Sequence, residues 1–249
     1  MGLVETEGLI LKNYSLSDAD KIVVFLSKTH GLVRGVAKGA KKLKSNFGSS
    51  LEPFSIVKIS YFQKEQQELV SVRGSELLKS FFGTASDPAA LQRFAYMADL
   101  VSEFAPPSEP NERMFNMMRV CLEACVAKTE GADAVIMYFE LWLLKLGGYL
   151  PSWEHCAECG KTADHAEMFL QDSYRLFCAH CHQGSKAVGV STREQELFAS
   201  AQRMSPEKFI ELSEGSNNAV RAVSSILRRI IAGILGRDWQ ESRILTSIY

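Results

Sequence analysis

The sequence predicts a mixed α+β protein in which a small β-barrel precedes an α-helical domain with an inserted four-cysteine module. Three observations support this organisation. The chain opens with short β-type segments between turn-formers, continues with apolar residues at helical spacing, and interrupts the helices with a cysteine-bearing stretch. We place the barrel at residues 1–80 and the helical domain at 81–249, interrupted by the module at about 151–190.

The barrel prediction depends on segments rich in Val, Ile, Phe and Tyr. We expect strands at residues 3–14, 22–27, 32–38, 54–62 and 68–74. Five strands in about 75 residues suit a small closed barrel such as the OB-fold, although spacing alone does not separate it from an SH3-like barrel. Five aromatic residues are candidates either to stack on bases or to fill the core: Tyr14, Phe47, Phe54, Tyr61 and Phe62.

Helical spacing begins after the barrel. Asp87 followed by Pro88 is typical of an N-cap with proline at the first helical position. A second apolar stripe starts near residue 111, and Asp133 is the expected cap of a third helix that ends at the glycine pair 147–148. Further helices are expected over residues 192–203 and 220–234. Cys121 and Cys125 lie four apart in the second stripe, which favours buried core thiols.

The strongest local motif is a pair of CxxC turns separated by eighteen residues. Each turn places two thiolates on one side of a knuckle, and two knuckles supply the four ligands that tetrahedral zinc prefers. We therefore predict zinc bound by four cysteines: Cys156, Cys159, Cys178 and Cys181. The alternative is a set of reduced or redox-active thiols, but a thioredoxin-type site needs only one CxxC.

A site with four thiolate ligands has no open position for water or substrate, which predicts a structural zinc and not a catalytic one. Three histidines, at positions 155, 180 and 182, flank the knuckles. Because the cysteines already complete the ligand sphere, we expect these histidines to be solvated or to lie outside the first ligand shell.

The net charge of −1 conceals an uneven distribution. Residues 1–80 carry 12 basic and 8 acidic residues, a balance of +4, whereas residues 81–215 carry 11 and 19, a balance of −8. Residues 216–249 carry 5 basic and 2 acidic residues, a balance of +3. A polyanion responds to the two basic ends and not to the average.

A basic loop follows the third predicted strand. Residues 34–45 contain five cations and no acid, and the next acidic residue is Glu52. Side chains of this kind suit phosphate contacts, which hold a protein on DNA without reading its sequence. The alternative is a solvated loop. The predicted DNA-binding residues are Arg34, Lys38, Lys41, Lys42 and Lys44.

Several segments together resemble the RecO family of bacterial recombination mediators. They are residues 7–11 (EGLIL), 18–21 (DADK), 37–45 (AKGAKKLKS), 51–54 (LEPF), 146–151 (LGGYLP) and 242–243 (SR). The resemblance covers essentially the whole chain. It implies an OB-fold followed by a helical domain with a zinc module. It also implies binding to single- and double-stranded DNA, ATP-independent annealing, and cooperation with RecR and the single-stranded-DNA-binding protein (SSB) in loading RecA.

The last predicted helix has a basic side and an apolar side. An acidic peptide ending in an aromatic residue, such as the C-terminal tail of SSB, requires cations beside an apolar pocket. We therefore expect the tail to bind at Arg221, Arg228, Arg229, Leu227 and Ile230. The alternative is an ordinary amphipathic helix whose apolar residues are core and whose arginines are solvated.

The sequence also narrows the class of protein. The opening residues lack a secretory signal and the most apolar stretch is too short to span a bilayer, so we expect a cytoplasmic protein that does not bind membranes. The absence of a P-loop and of HExxH motifs argues against an enzyme and against a small-molecule substrate. Two other functions stay open, namely a protein scaffold and a nucleic-acid-modifying protein with an accessory zinc ribbon.

Overall fold

The computed structural model describes residues 2–63, 69–83, 87–107, 109–127, 131–163, 167–171, 174–182 and 187–236. These residues form two compact units, one up to Val126 and one from Ala127 onward. The first unit therefore includes two helices beside the barrel. The domain boundary after residue 80 and the limits of the cysteine module stay sequence-based predictions. None of the described helices combines the length and the apolar character needed to cross a membrane.

Five strands form the barrel, at Gly2–Ser15 (β1), Lys21–Ser27 (β2), Gly31–Ala37 (β3), Ser55–Gln63 (β4) and Leu69–Ser80 (β5). The barrel closes in the order β1-β2-β3-β5-β4. All neighbours are antiparallel except β3 and β5, which run parallel. The N-terminal part is thus an OB-fold, as the sequence predicted, and the SH3-like alternative is excluded.

Alternation along β3 shows how the barrel is filled. Val33 and Ala37 belong to the buried core, and a Cβ atom built at Gly35 would lie 2.8 Å from side-chain atoms of both Val70 and Val72. The odd-numbered residues of β3 therefore face the interior, and the even-numbered residues, including Arg34, face outward. This register matters for function because it fixes which side chains of the strand a partner can reach.

Among the described residues, two helices accompany the barrel in the first unit, at Pro88–Phe104 (α1) and Glu112–Ala127 (α2). The predicted start of α1 is confirmed, because the Asp87 carboxylate accepts hydrogen bonds from the backbone amides of residues 89 and 90, both at 3.2 Å. Helix α1 lies against the barrel, where Phe94 meets Phe54 edge-on at 5.3 Å and Asp99 pairs with Lys12 at 2.6 Å.

The described part of the second unit contains four helices, at Ala132–Leu146 (α3), Thr192–Ala201 (α4), Pro206–Ser213 (α5) and Asn217–Leu235 (α6). A three-stranded sheet accompanies them, at Met168–Leu170 (β6), Leu176–Cys178 (β7) and Val188–Val190 (β8), with β6 in the middle. The predicted cap of α3 is wrong. Gly131, at φ 98°, precedes the helix, so Asp133 lies inside the first turn.

Candidate metal centre and nucleic-acid interface

The four predicted cysteine ligands meet at one point in the second unit. Their sulfur atoms all lie within 4.8 Å of one another, and the Sγ atoms of Cys159 and Cys178 are 3.8 Å apart. Four sulfurs about 2.3 Å from a central zinc are separated by about 3.8 Å along each edge of the tetrahedron. The cluster therefore has the donor set and the dimensions of a Cys₄ zinc site, and no disulfide links these thiols.

Backbone hydrogen bonds shape each knuckle. In the first, the amide of Cys156 donates to the carbonyl of Lys161 at 2.7 Å, and Gly160, in the left-handed region at φ 71°, donates back to Cys156 at 3.0 Å. In the second, the amides of Cys181 and His182 donate to the carbonyl of Cys178 at 3.0 and 2.9 Å. Cys178 ends β7, so the small sheet positions one half of the cluster.

The thiols show unequal acidities. Desolvation of Cys156 is outweighed by hydrogen bonds from the backbone at residues 159, 178 and 158, which lower its pKa to about 6. Hydrogen bonds to Cys159 and desolvation, with further contributions from the other thiols, raise the pKa of Cys181 to about 12. Four thiolates at these distances repel one another, so a full set of negative ligands fits a bound divalent cation.

The other histidines and cysteines considered from the sequence are not part of the described metal centre. None of the three flanking histidines belongs to the described cluster, which contains cysteines alone. Cys121 and Cys125 are buried in α2, which confirms the prediction of core thiols. Burial raises the pKa of Cys125 to about 12, although Arg93 partly opposes the shift. This thiol therefore stays protonated at neutral pH and is a poor metal ligand.

The basic loop between β3 and β4 is fixed to the barrel at both ends. At its start, Gly39 adopts φ 73° and its amide donates to the Asp20 carboxylate at 2.8 Å. The amide of Lys41 donates to the carbonyl of Ala19 at 2.9 Å. At its end, Phe47 and Leu51 are buried in the barrel core. The lysines between these anchors are held on a folded surface at the turn that joins β1 to β2.

The loop lysines differ from other lysines of the first unit in their partners. Lys38, Lys41, Lys42 and Lys44 are all exposed, and among the described residues no carboxylate lies within 4.0 Å of their ammonium groups. The Lys41 ammonium donates to the carbonyl of Ser17 at 3.0 Å, which leaves its charge uncompensated. By contrast, Lys28, Lys58 and Lys79 lie 3.6, 3.7 and 2.9 Å from Glu112, Glu5 and Glu123.

Arg34 lies on strand β3 and not on the loop that carries the four lysines. It lies on the outer face of β3, exposed, and lines a groove of about 720 Å³. The groove is also lined by His30, Leu32, Glu103 and Pro107. The predicted basic set thus divides into four lysines on the loop and one arginine at the edge of a groove beside the end of α1.

Burial resolves the alternatives for the five barrel aromatics. Phe47, Phe54 and Tyr61 are core residues and are not available to stack on bases. Burial also raises the pKa of Tyr61 to about 12. Tyr14 is 51% exposed, and Phe62 is half-buried with the Arg73 guanidinium 5.0 Å from its ring centre. Only these last two keep ring surface that a base can reach.

The packing of α6 buries two of the five residues predicted to bind the SSB tail. Leu227 is completely buried and Ile230 is 7% exposed, so both are core residues of the second unit. Arg228 donates from Nε to the Glu140 carboxylate at 2.7 Å, and Glu140 is completely buried in α3. Helices α3 and α4 pack against α6, so Leu227 and Ile230 are covered within the unit and not presented to a peptide.

The remaining predicted arginines of α6 lie at the surface. Arg221 pairs with Asp133 at 2.9 Å, with their side chains 49% and 35% exposed. Arg229 is exposed, and no described carboxylate lies within 4.0 Å of it. The Ser242-Arg243 pair that contributes to the family resemblance lies outside the described residues.

The protein combines an OB-fold that carries an exposed basic loop with a helical unit and a four-thiol cluster. These features place it in a class of barrel proteins with an accessory cysteine module. Comparison with known proteins identifies the family within this class. The family model for the recombination protein O N terminal matches residues 1–81, and that for the recombination protein O C terminal matches residues 85–244. The chain belongs to the RecO family.

Relatives in several bacteria carry the same name, DNA repair protein RecO. The protein of Koribacter versatilis is 30% identical over 178 residues, 72% of each chain. That of Geobacter metallireducens is 32% identical over 190 residues, 76% of this chain and 77% of the relative. That of Syntrophus aciditrophicus is 24% identical over 249 residues, 98% of this chain and 95% of the relative.

Proposed function

We propose that this protein is a non-enzymatic recombination mediator in DNA repair. It binds single- and double-stranded DNA through the basic loop and anneals complementary strands without ATP. With RecR, it loads RecA onto DNA covered by SSB, in the cytoplasm. The RecO family membership and the names of the relatives support the role in repair. The observation that carries DNA binding is the group of exposed loop lysines without carboxylate partners.

The proposed binding step is electrostatic. Lys38, Lys41, Lys42 and Lys44 replace the counterions of DNA phosphates, which makes binding independent of sequence and sensitive to salt. The hydrogen bonds that fix the loop to Asp20 and Ala19 reduce the entropy lost when the lysines bind. Arg34, on the outer face of β3, extends the contact beyond the loop. Phosphates of two strands held on one surface no longer repel each other fully, which favours pairing.

We also propose that the four-thiol cluster holds one zinc ion. A bound zinc ion would cross-link the two knuckles. Because four cysteines complete its coordination, no open position would be left for water or substrate. SSB is the proposed partner of the second unit. Because Leu227 and Ile230 are buried, the contact on α6 depends on Arg229 and the exposed part of Arg221.

The test of this proposal is annealing of naked complementary strands without nucleotide. The variant replaces Lys41, Lys42 and Lys44 with alanine. Its control replaces Lys28, Lys58 and Lys79, which removes the same charge from the same unit but takes lysines that already have a carboxylate partner. We expect the loop variant to lose annealing and the control to keep it. Equal annealing by both variants contradicts the proposal.

A further inference from the structure

Leu43 occupies an unusual position for an apolar side chain. Its relative exposure is 105%, whereas the other exposed large apolar side chains among the described residues are between 40% and 53% exposed. Partly exposed leucines are common on protein surfaces, because part of each side chain still packs on its neighbours. Leu43 has no such packing, so its position contributes nothing to the core of the barrel.

The backbone presents Leu43 at the tip of the basic loop. The amide of Lys42 donates to the carbonyl of Gly39 at 3.1 Å, and the amide of Ser45 donates to the carbonyl of Lys42 at 2.9 Å. These turns are held by the anchors on each side, the Gly39 bond to Asp20 and the buried ring of Phe47. The leucine is therefore carried on a supported loop, with an exposed lysine directly before it and another directly after it.

We propose that Leu43 is a wedge that enters between adjacent bases of DNA and unstacks them. This inference rests on the proposed function, because the flanking lysines must first hold the phosphates. Apolar side chains inserted between base steps separate the bases while cations nearby hold the backbone. Leu43 with Lys42 and Lys44 provides this combination within three consecutive residues.

The charge around the tip is what favours DNA over a protein surface as the partner. Among the described residues no carboxylate lies within 4.0 Å of Lys41, Lys42 or Lys44, so this part of the loop is attracted to a polyanion. In a nucleic acid, flat apolar base faces lie next to the phosphates, so one approach satisfies both the cations and the leucine. Unstacked bases are also free to seek a partner strand, which connects the wedge to annealing.

The experiment compares Leu43→Ala with Leu78→Ala, a control in β5 whose leucine is 51% exposed. The probe is a single-stranded oligonucleotide with 2-aminopurine between adenines, whose fluorescence rises when the bases unstack. We expect Leu43→Ala to bind about tenfold more weakly (~1.4 kcal/mol) and to lose the fluorescence rise. The salt dependence of its affinity stays unchanged, because no charge is removed. Leu43→Met, which keeps a long apolar side chain, should retain both the affinity and the fluorescence rise of the parent protein.

Unchanged affinity and fluorescence in Leu43→Ala overturn the wedge. This result is distinguishable from failure of the proposed function, which is measured by the lysine variant. If Lys41, Lys42 and Lys44 replaced by alanine lose salt-dependent binding while Leu43→Ala behaves as the parent protein, the loop binds DNA without a wedge. If the lysine variant also binds normally, the loop itself is not the DNA site and the wedge falls with it.

Discussion

Replacing Arg228 with methionine tests how the second unit is held together. The Arg228 side chain is 25% exposed and lies 2.7 Å from Glu140, which is completely buried and also accepts a hydrogen bond from Ser224. Removing the cation leaves a buried carboxylate without this ion-pair partner, a change that costs about 3–5 kcal/mol of unfolding free energy in other proteins. Because Ser224 still donates to Glu140, we expect a loss of about 3 kcal/mol, near the lower end.

The control is Arg221→Met, which removes an ion pair on the same helix at a similar distance, 2.9 Å, but with both side chains partly exposed. Exposed pairs contribute about 0–1 kcal/mol, so this variant should unfold almost as the parent does. Urea unfolding followed by far-UV circular dichroism measures both variants in the full chain.

A double variant separates burial from pairing. Replacing Glu140 with leucine together with Arg228→Met removes both charges, and we expect it to regain at least half of the lost stability. If Arg228→Met lowers the unfolding free energy no more than Arg221→Met does, burial of Glu140 does not increase the contribution of its ion pair to stability. The role assigned here to Arg228, in folding and not in recognition of a partner, would then be refuted.

Three further predictions concern other parts of the chain. Protein purified without chelator should contain about one zinc per chain, as measured by elemental analysis. Cys156→Ser should lose the zinc and unfold the cysteine module, which limited proteolysis will detect. A metal-free protein whose cysteine module still resists proteolysis would contradict this prediction. Gly31→Ala should cost at least about 2 kcal/mol in thermal unfolding, because its Cβ would lie 2.2 Å from the Glu109 carbonyl, whereas Gly48→Ala, also at positive φ but in open space, should cost less. Arg229→Glu should weaken binding of the SSB tail peptide several-fold in fluorescence anisotropy without changing the melting temperature, and equal binding would place the peptide elsewhere.

Local sequence patterns predicted most of the barrel. Each end of the first four strands lies within one residue of its predicted position, because turn-formers and β-branched residues act locally. The fifth strand, predicted to end at residue 74, continues to Ser80. The closed OB order with parallel β3 and β5 depends on pairing between distant segments, which alternation along single strands does not contain.

The helical part shows where sequence patterns lose information. The sequence predicts that part of the apolar stripe of α6 binds a partner, but a stripe has the same appearance whether it faces another molecule or the protein's own core. The deciding contact is Glu140, an acidic residue in an apolar segment, which pairs with an arginine 88 positions away. Helix α5 was not predicted because its apolar pattern covers only eight residues.

The sequence was sufficient to predict which four cysteines come together in the cluster. Two CxxC turns specify their own knuckle geometry, and only the approach of the second pair to the first requires the fold. The basic loop was predictable as a set of charges. The groove that Arg34 lines was not predictable, because it depends on the outward register of β3 and on the helix beside it.

The measurement that tests the central claim most directly is the salt dependence of DNA binding. If Lys41, Lys42 and Lys44 each neutralise one phosphate, replacing all three with alanine should flatten the slope of log K against log salt by about 2–3 units, at ~0.7–0.9 per contact. The control at Lys28, Lys58 and Lys79 should keep the parent slope, since each of these lysines already faces a carboxylate. An unchanged slope in the loop variant, or an equal loss in the control, would contradict the assignment of this loop as the DNA-binding site.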